Sequence, residues 1–145
     1  MKNPILTYGT KLYDGRKNLI VVLFFADSCN YNCAYCGNKF PRTNFKLDPN
    51  VVFKQLKSLL CTIDGDIFIE ILGGEPTTHP GFYDFCKKLS SERRFKPSVY
   101  TNFSADEHMY VDLLECGINI IPSWHSIPSD RYNHAFVNKA IHVSQ

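Results

Sequence analysis

The run Leu19-Ile20-Val21-Val22-Leu23-Phe24-Phe25, followed by Ala26-Asp27-Ser28-Cys29, decides how the chain is read. A strand with one wet face alternates apolar and polar residues. An unbroken apolar run marks a strand covered on both faces, as in a parallel sheet. Working outward, the same kind of unit recurs. Asp48-Pro49 is a capping residue followed by proline at the first helical position. Behind it Val52, Phe53, Leu56, Leu59 and Leu60 return at helical spacing. Asp66 to Leu72 (DIFIEIL) reads as a second strand ended by Gly73-Gly74. Pro80 then opens a helix whose inner face is Phe82, Phe85, Cys86 and Leu89.

Ser98 to Asn102 reads as a third strand. Ser104 and Glu107 form an S-x-x-E capping box for a helix with the stripe Tyr110, Leu113 and Leu114, and Gly117 fits its C-terminal stop. Ile118 to Ile121 is a fourth strand. Ser129 starts a fourth helix with Phe136, Val137, Ala140 and Ile141 inward. Upstream, a turn at Asp14-Gly15 makes residues 1–18 an N-terminal hairpin-like extension. The fold expectation is α/β, a parallel sheet of about four β/α units with right-handed crossovers. In such sheets, barrel or open, the chemistry lies at the carboxyl ends of the strands.

Composition narrows the class. The chain has 145 residues, 44% apolar, 14% aromatic and 21% charged, the values of one globular domain. Sixteen Lys+Arg against fourteen Asp+Glu give +2, too balanced to call for nucleic acid or an anionic membrane. Six cysteines are too dilute for a secreted disulfide scaffold. No leader-like apolar segment opens the chain, and the longest apolar run, Leu19 to Ala26, is too short for a bilayer. A cytoplasmic, thiol-using domain is the expectation.

Just past the first strand stand Cys29, Cys33 and Cys36, spaced C-x3-C-x2-C. Thiolates are soft ligands that suit zinc or iron–sulfur clusters. Three of them leave one iron of a four-iron cube open, whereas a closed zinc site needs a fourth protein ligand, such as His79 or a distant residue. Simple packing explains three cysteines in a polar loop poorly. Cys61, Cys86 and Cys116 fall on or after helices and read as packing residues. The basic run from Glu92 to Lys96 reads as a solvated connection. The second strand ends in Gly73-Gly74-Glu75-Pro76, where two glycines let backbone approach a ligand closely. Its carboxylate or carbonyls can accept from an ammonium group. Glu70 is a lone charge in an apolar strand, on the face of Phe68 and Leu72 and opposite Ile67, Ile69 and Ile71.

On Cys29, Cys33, Cys36, the aromatic Tyr35 before the last cysteine, and Gly73–Pro76 one unit later, the sequence resembles the radical SAM superfamily from about Leu19 to His125. The resemblance implies a partial TIM-type barrel, a [4Fe–4S] cluster on the three cysteines, and S-adenosylmethionine chelating the open iron. It implies Gly73, Gly74, Glu75 and Pro76 along the methionine moiety and Tyr35 near the adenine. It also implies reductive cleavage to a 5′-deoxyadenosyl radical that takes hydrogen from a peptide or small-molecule substrate. The electron donor would be a flavodoxin or ferredoxin.

Thr101-Asn102 resembles the family's third-strand T-N, with Phe103 where glycine is common. Ser123-Trp124-His125 resembles its fourth-strand S-x-D/H. Asn102 and Ser123 are thus expected at the cofactor. His125 is a candidate substrate contact or proton carrier, or a plain polar loop residue, and Trp124 a rim or core aromatic. In the family the residue at Glu70 faces the barrel lumen. There it binds substrate or cofactor, or pairs with a lumen Lys or Arg. The family core usually has six units, and a fifth-unit G-x-I-x-G-x-x-E-like segment is absent. Residues 1–145 are therefore expected to be a single core domain incomplete at its C-terminus: a fragment, a natural short form, or a chain completed by a partner. The rival function is a noncatalytic iron–sulfur or zinc-binding module.

Overall fold

The computed structural model describes residues 6–13 (as backbone), 15–36 and 47–123. Strand β1 (Leu6–Tyr13) is followed by β2 (Arg16–Ala26), α1 (Pro49–Leu59), β3 (Ile67–Gly73), a 3-10 turn (Pro76–Thr78), α2 (Phe82–Ser90), β4 (Phe95–Thr101), α3 (Glu107–Glu115) and β5 (Asn119–Pro122). The strands form one sheet in chain order. β1 pairs with β2 antiparallel as a hairpin, and β2 to β5 run parallel. This is the expected α/β architecture. The expected fourth helix, with Ser129, Phe136, Val137, Ala140 and Ile141, lies outside the described residues, as do Trp124 and His125.

Period-two alternation sets the two faces of the sheet. Ile67, Ile69 and Ile71 are fully buried, with Leu19, Val21, Leu23, Phe25, Phe95 and Val99 beside them. Against this face pack Val52 and Leu56 of α1, Phe82, Phe85, Cys86 and Leu89 of α2, and Leu113 of α3. Each such aliphatic or aromatic side chain contributes about 1.5–3 kcal/mol over its exposed state. The inner faces expected for α1 and α2 are those observed. The other face of the sheet carries Phe68, Glu70 and Leu72 and is only half-covered.

Four local expectations are corrected. The capping box at Ser104 and Glu107 does not form. Asp106 caps α3 by accepting from the His108 N–H, while the Ser104 hydroxyl accepts from Asn30 Nδ2 at 2.7 Å. Leu114 is exposed, so the α3 stripe is Tyr110 and Leu113. Cys61 is exposed and does not pack, unlike the buried Cys86. Arg94 is not solvated. Its guanidinium donates to the carbonyls of Leu60, Ile63 and Gly65 and so staples the α1–β3 turn.

Other boundaries shift for visible reasons. β4 begins at Phe95 rather than Ser98 and runs through Pro97. β5 pairs only from Ser98 onward, so β4 is locally an edge at the proline, where a missing N–H is tolerated. Gly117 does stop α3. It has φ 81°, and the N–H groups of Gly117 and Ile118 donate to the carbonyls of Leu114 and Leu113, a Schellman ending.

Candidate functional site

The carboxyl ends of β2, β3, β4 and β5 converge on one edge of the sheet. β2 runs straight into the cysteine loop. Cys29 and Cys33 are half-buried and Cys36 is exposed, all three as free thiols. The Cys36 N–H donates to the Cys33 carbonyl, closing a turn. The Tyr31 N–H donates to Cys29 Sγ at 3.3 Å. Burial pushes the Cys29 thiol up. The Tyr31 N–H opposes this, and the charges of Glu75, Cys33 and Cys36 add to the rise.

Among the described residues, however, no three His, Cys, Asp or Glu side chains converge as a metal-holding group. The thiols are gathered on one loop but not closed on a common centre. As a donor set they are sulfur only, which suits an iron–sulfur cluster better than a hard cation. His79, the fourth ligand a zinc site would draw on, is buried against Phe25, and its Nδ1 accepts from the Gly81 N–H at 3.0 Å.

The glycines at the end of β3 have a structural reason that involves the cysteine loop directly. Gly73 has φ 140°, and a Cβ there would stand 2.3 Å from the Ala26 carbonyl oxygen. A Cβ on Gly74 would stand 2.1 Å from the Ser28 carbonyl oxygen. The Gly74 and Glu75 N–H groups donate to those same two carbonyls at 2.7 and 2.8 Å. The close approach that glycine permits is thus, first, between the Gly73-Gly74 turn and the chain that enters the cysteine loop.

Glu75 is 1% exposed. Its Oε1 accepts from the Thr77 N–H, the Thr77 hydroxyl and the Thr101 hydroxyl at 3.2, 2.7 and 2.7 Å. Its Oε2 accepts from the Asn102 N–H at 2.6 Å. A buried carboxylate is tolerable when it is supplied with donors in this way. Glu75 thereby caps the 3-10 turn begun by the buried Pro76 and bolts β3 to the end of β4.

Asn102 carries that connection back to the cysteines. Its Nδ2 donates to Asn30 Oδ1 at 2.8 Å and lies 3.8 Å from Cys29 Sγ. Its Oδ1 accepts from the Ser104 N–H. The Ser123 N–H donates to the Thr101 carbonyl at 2.7 Å, which sets Ser123 beside the same strand end. Tyr35 is exposed on the loop. Cys29, Gly73, Gly74, Glu75, Asn102 and Ser123 are thus brought to one edge. Glu70 lies lower, mid-strand on the half-covered face, and among the described residues it pairs with no Lys or Arg.

Sequence reasoning did not assign Thr101, Asn30 or Tyr110 to the site, although Tyr110 does lie in the buried α3 stripe read from the sequence. The Tyr110 ring is fully buried. Its hydroxyl lies 3.1 Å from Thr101 Oγ1 and accepts from the Ala105 N–H. Burial pushes its phenol up to about 12. Phe103 stacks on this ring at 4.3 Å while holding φ 62°, so a buried aromatic contact maintains the left-handed backbone that glycine would adopt freely. The Thr-Asn pair at a strand end was the available signal for Thr101. Asn30 and Tyr110 carried none.

Among the described residues no helix is long and apolar enough to cross a membrane. No curated protein and no solved structure matches the chain. The family model of the radical SAM superfamily matches residues 23–142, from within β2 through β5 and beyond. The four parallel strands alternating with helices agree with a partial barrel of that kind. By that match over most of its length, the chain belongs to the radical SAM superfamily.

Proposed function

We propose that the chain binds a [4Fe–4S] cluster through Cys29, Cys33 and Cys36 and uses it with S-adenosylmethionine to abstract hydrogen from a substrate. The observation that carries this reading is the backbone contact between the cysteine loop and Gly73-Gly74, in a chain of this superfamily. When bound, the cluster supplies the single electron that cleaves the sulfonium reductively.

The chain's own residues have distinct tasks in this reading. The three thiols lose their protons as they take up iron, so loading weakens as pH falls. The backbone of Gly73 and Gly74 receives the amino acid end of S-adenosylmethionine. The Glu75 carboxylate, spent on Thr77, Thr101 and Asn102, fixes that backbone's shape. Asn102 and Ser123 flank the ligand from β4 and β5, and Tyr35 covers the adenine. Pro76 holds the turn rigid. His125 is a candidate substrate contact or proton carrier, to be tested by substitution.

Anaerobic reconstitution followed by S-adenosylmethionine and dithionite tests the proposal. Expected are about four iron per chain, the four corners of one cube, and release of 5′-deoxyadenosine. A variant with all three cysteines replaced by alanine should give neither. Iron uptake without 5′-deoxyadenosine would overturn the enzymatic reading and leave a binding module. A colourless protein with stoichiometric zinc would overturn the cluster itself.

A further inference from the structure

We propose that the half-covered face of the sheet holds, at Glu70, a recognition site for a compact organic cation, an ammonium or guanidinium group on an apolar stem. β3 is the central strand of five. Its odd residues Ile67, Ile69 and Ile71 are sealed under the helices, which turns Glu70 to the other face. The strand register sets Val22, Glu70, Ser98 and Asn119 in one row across β2 to β5. Asn119 Nδ2 donates to Ser98 Oγ at 3.3 Å, so the row continues as a polar strip beside the carboxylate.

The Glu70 carboxylate, first as an acceptor for the Tyr100 hydroxyl and, after burial, through its charge, pushes the Tyr100 phenol up. One carboxylate oxygen, Oε2, is nevertheless buried with no hydrogen-bond partner. A buried acceptor left in this state costs about 1–3 kcal/mol, and more when it is charged. Val22, beside it in the row, is aliphatic and half-buried on the same face.

Among the described residues no Lys or Arg neutralises the group. Lys96, one row below beside Phe68, donates instead to the Arg93 carbonyl at 3.0 Å. The walls define what the carboxylate would accept. Phe68 and Tyr100 are 41% and 38% exposed, and Phe24 and Leu72 pair in the row above. Aromatic faces next to an acceptor-only group favour a cation over a neutral donor and exclude an anion. Apolar walls favour one carried on an alkyl stem.

This inference deepens the proposed function by naming the chemical class of the substrate. It rests on that reading only for the word substrate, since binding to Glu70 needs neither iron nor S-adenosylmethionine. The test is an NMR titration of the full chain without iron, using n-butylamine and agmatine, with n-butanol and butyrate as matched neutral and anionic probes. The expected result is saturable shifts at Val22, Ser98 and Asn119 with the two cations, and none with the other probes. Glu70→Gln, nearly isosteric, should weaken binding at least tenfold. Tyr100→Phe, which removes the neighbouring hydroxyl and keeps the ring, should bind as tightly as the parent or tighter. Equal shifts with butanol, or unchanged affinity in Glu70→Gln with its circular dichroism intact, would overturn the proposal. Failure to cleave S-adenosylmethionine leaves this result standing, and failure to bind cations leaves the cleavage reading standing.

Discussion

The two ends of the sheet are built on the same device and used differently. At the amino end, Arg94 gathers the carbonyls of Leu60, Ile63 and Gly65, and Asn18 Oδ1 accepts from the Asp66 N–H at 2.7 Å. Both side chains close the strand starts and present nothing further. At the carboxyl end, Glu75 gathers donors from Thr77, Thr101 and Asn102. What it holds up, however, is a loop whose three thiols remain partly open to solvent. One end uses a buried polar group to finish the fold. The other uses one to hold reactive groups in place.

Glu75→Ala should break this contrast most severely. It strands four donors, and charge-assisted hydrogen bonds contribute about 1.5–3 kcal/mol each without adding fully. A loss of about 3–5 kcal/mol in urea unfolding is expected. Glu75→Gln, which keeps the shape but loses the charge, should lose roughly half of that. In both variants iron uptake should fall more than stability does, because Asn102 and Cys29 lose their common anchor.

Arg94→Ala is the matched change at the other end. It should cost about 2–4 kcal/mol by leaving three carbonyls without their donor. Under conditions where the variant is folded, thiol titration and iron uptake should equal those of the parent. A parallel loss of iron would mean that the two ends are not separable.

Raising the pH tests the carboxyl end without mutation. Burial, ahead of the other influences, holds the Tyr110 phenol at about 12, above the ordinary value of about 10. The folded state thus favours the neutral phenol. Its stabilisation is complete below pH 10 and disappears as pH rises through about 12, amounting to roughly 2–3 kcal/mol. Tyr110→Phe should flatten that part of the stability profile relative to the parent.

The smallest effect concerns α3. Asp106→Ala should lose about 1 kcal/mol as the true cap, and Glu107→Ala should stay within about 0.5 kcal/mol. The reverse order would restore the capping box read from the sequence.

The pattern of what could be read follows from range. Helix faces and strand alternation are local periodicities, so the core positions of α1, α2 and β3 were legible, as were the cysteine loop and Gly73–Pro76 at two strand ends. Arg94 looks like any surface charge until the chain brings its side chain to carbonyls 29 to 34 residues earlier. Ser104 looks like a cap until Asn30, 74 residues away, claims its hydroxyl. Glu75 was placed at the correct edge, but its long-range partners, Thr101 and Asn102, are 26 and 27 residues on. No periodicity encodes such a pairing.

The fit of Gly73 and Gly74 against Ala26 and Ser28 also governs how this site could be moved between proteins. The contact is main chain on main chain, with no room for a methyl group on either glycine. No compensating side-chain change can relieve a clash of that kind. A designer who transplants the cysteine loop into another parallel sheet must therefore carry the neighbouring strand's turn with it, at the same register. The two segments, far apart in the sequence, form a single portable part.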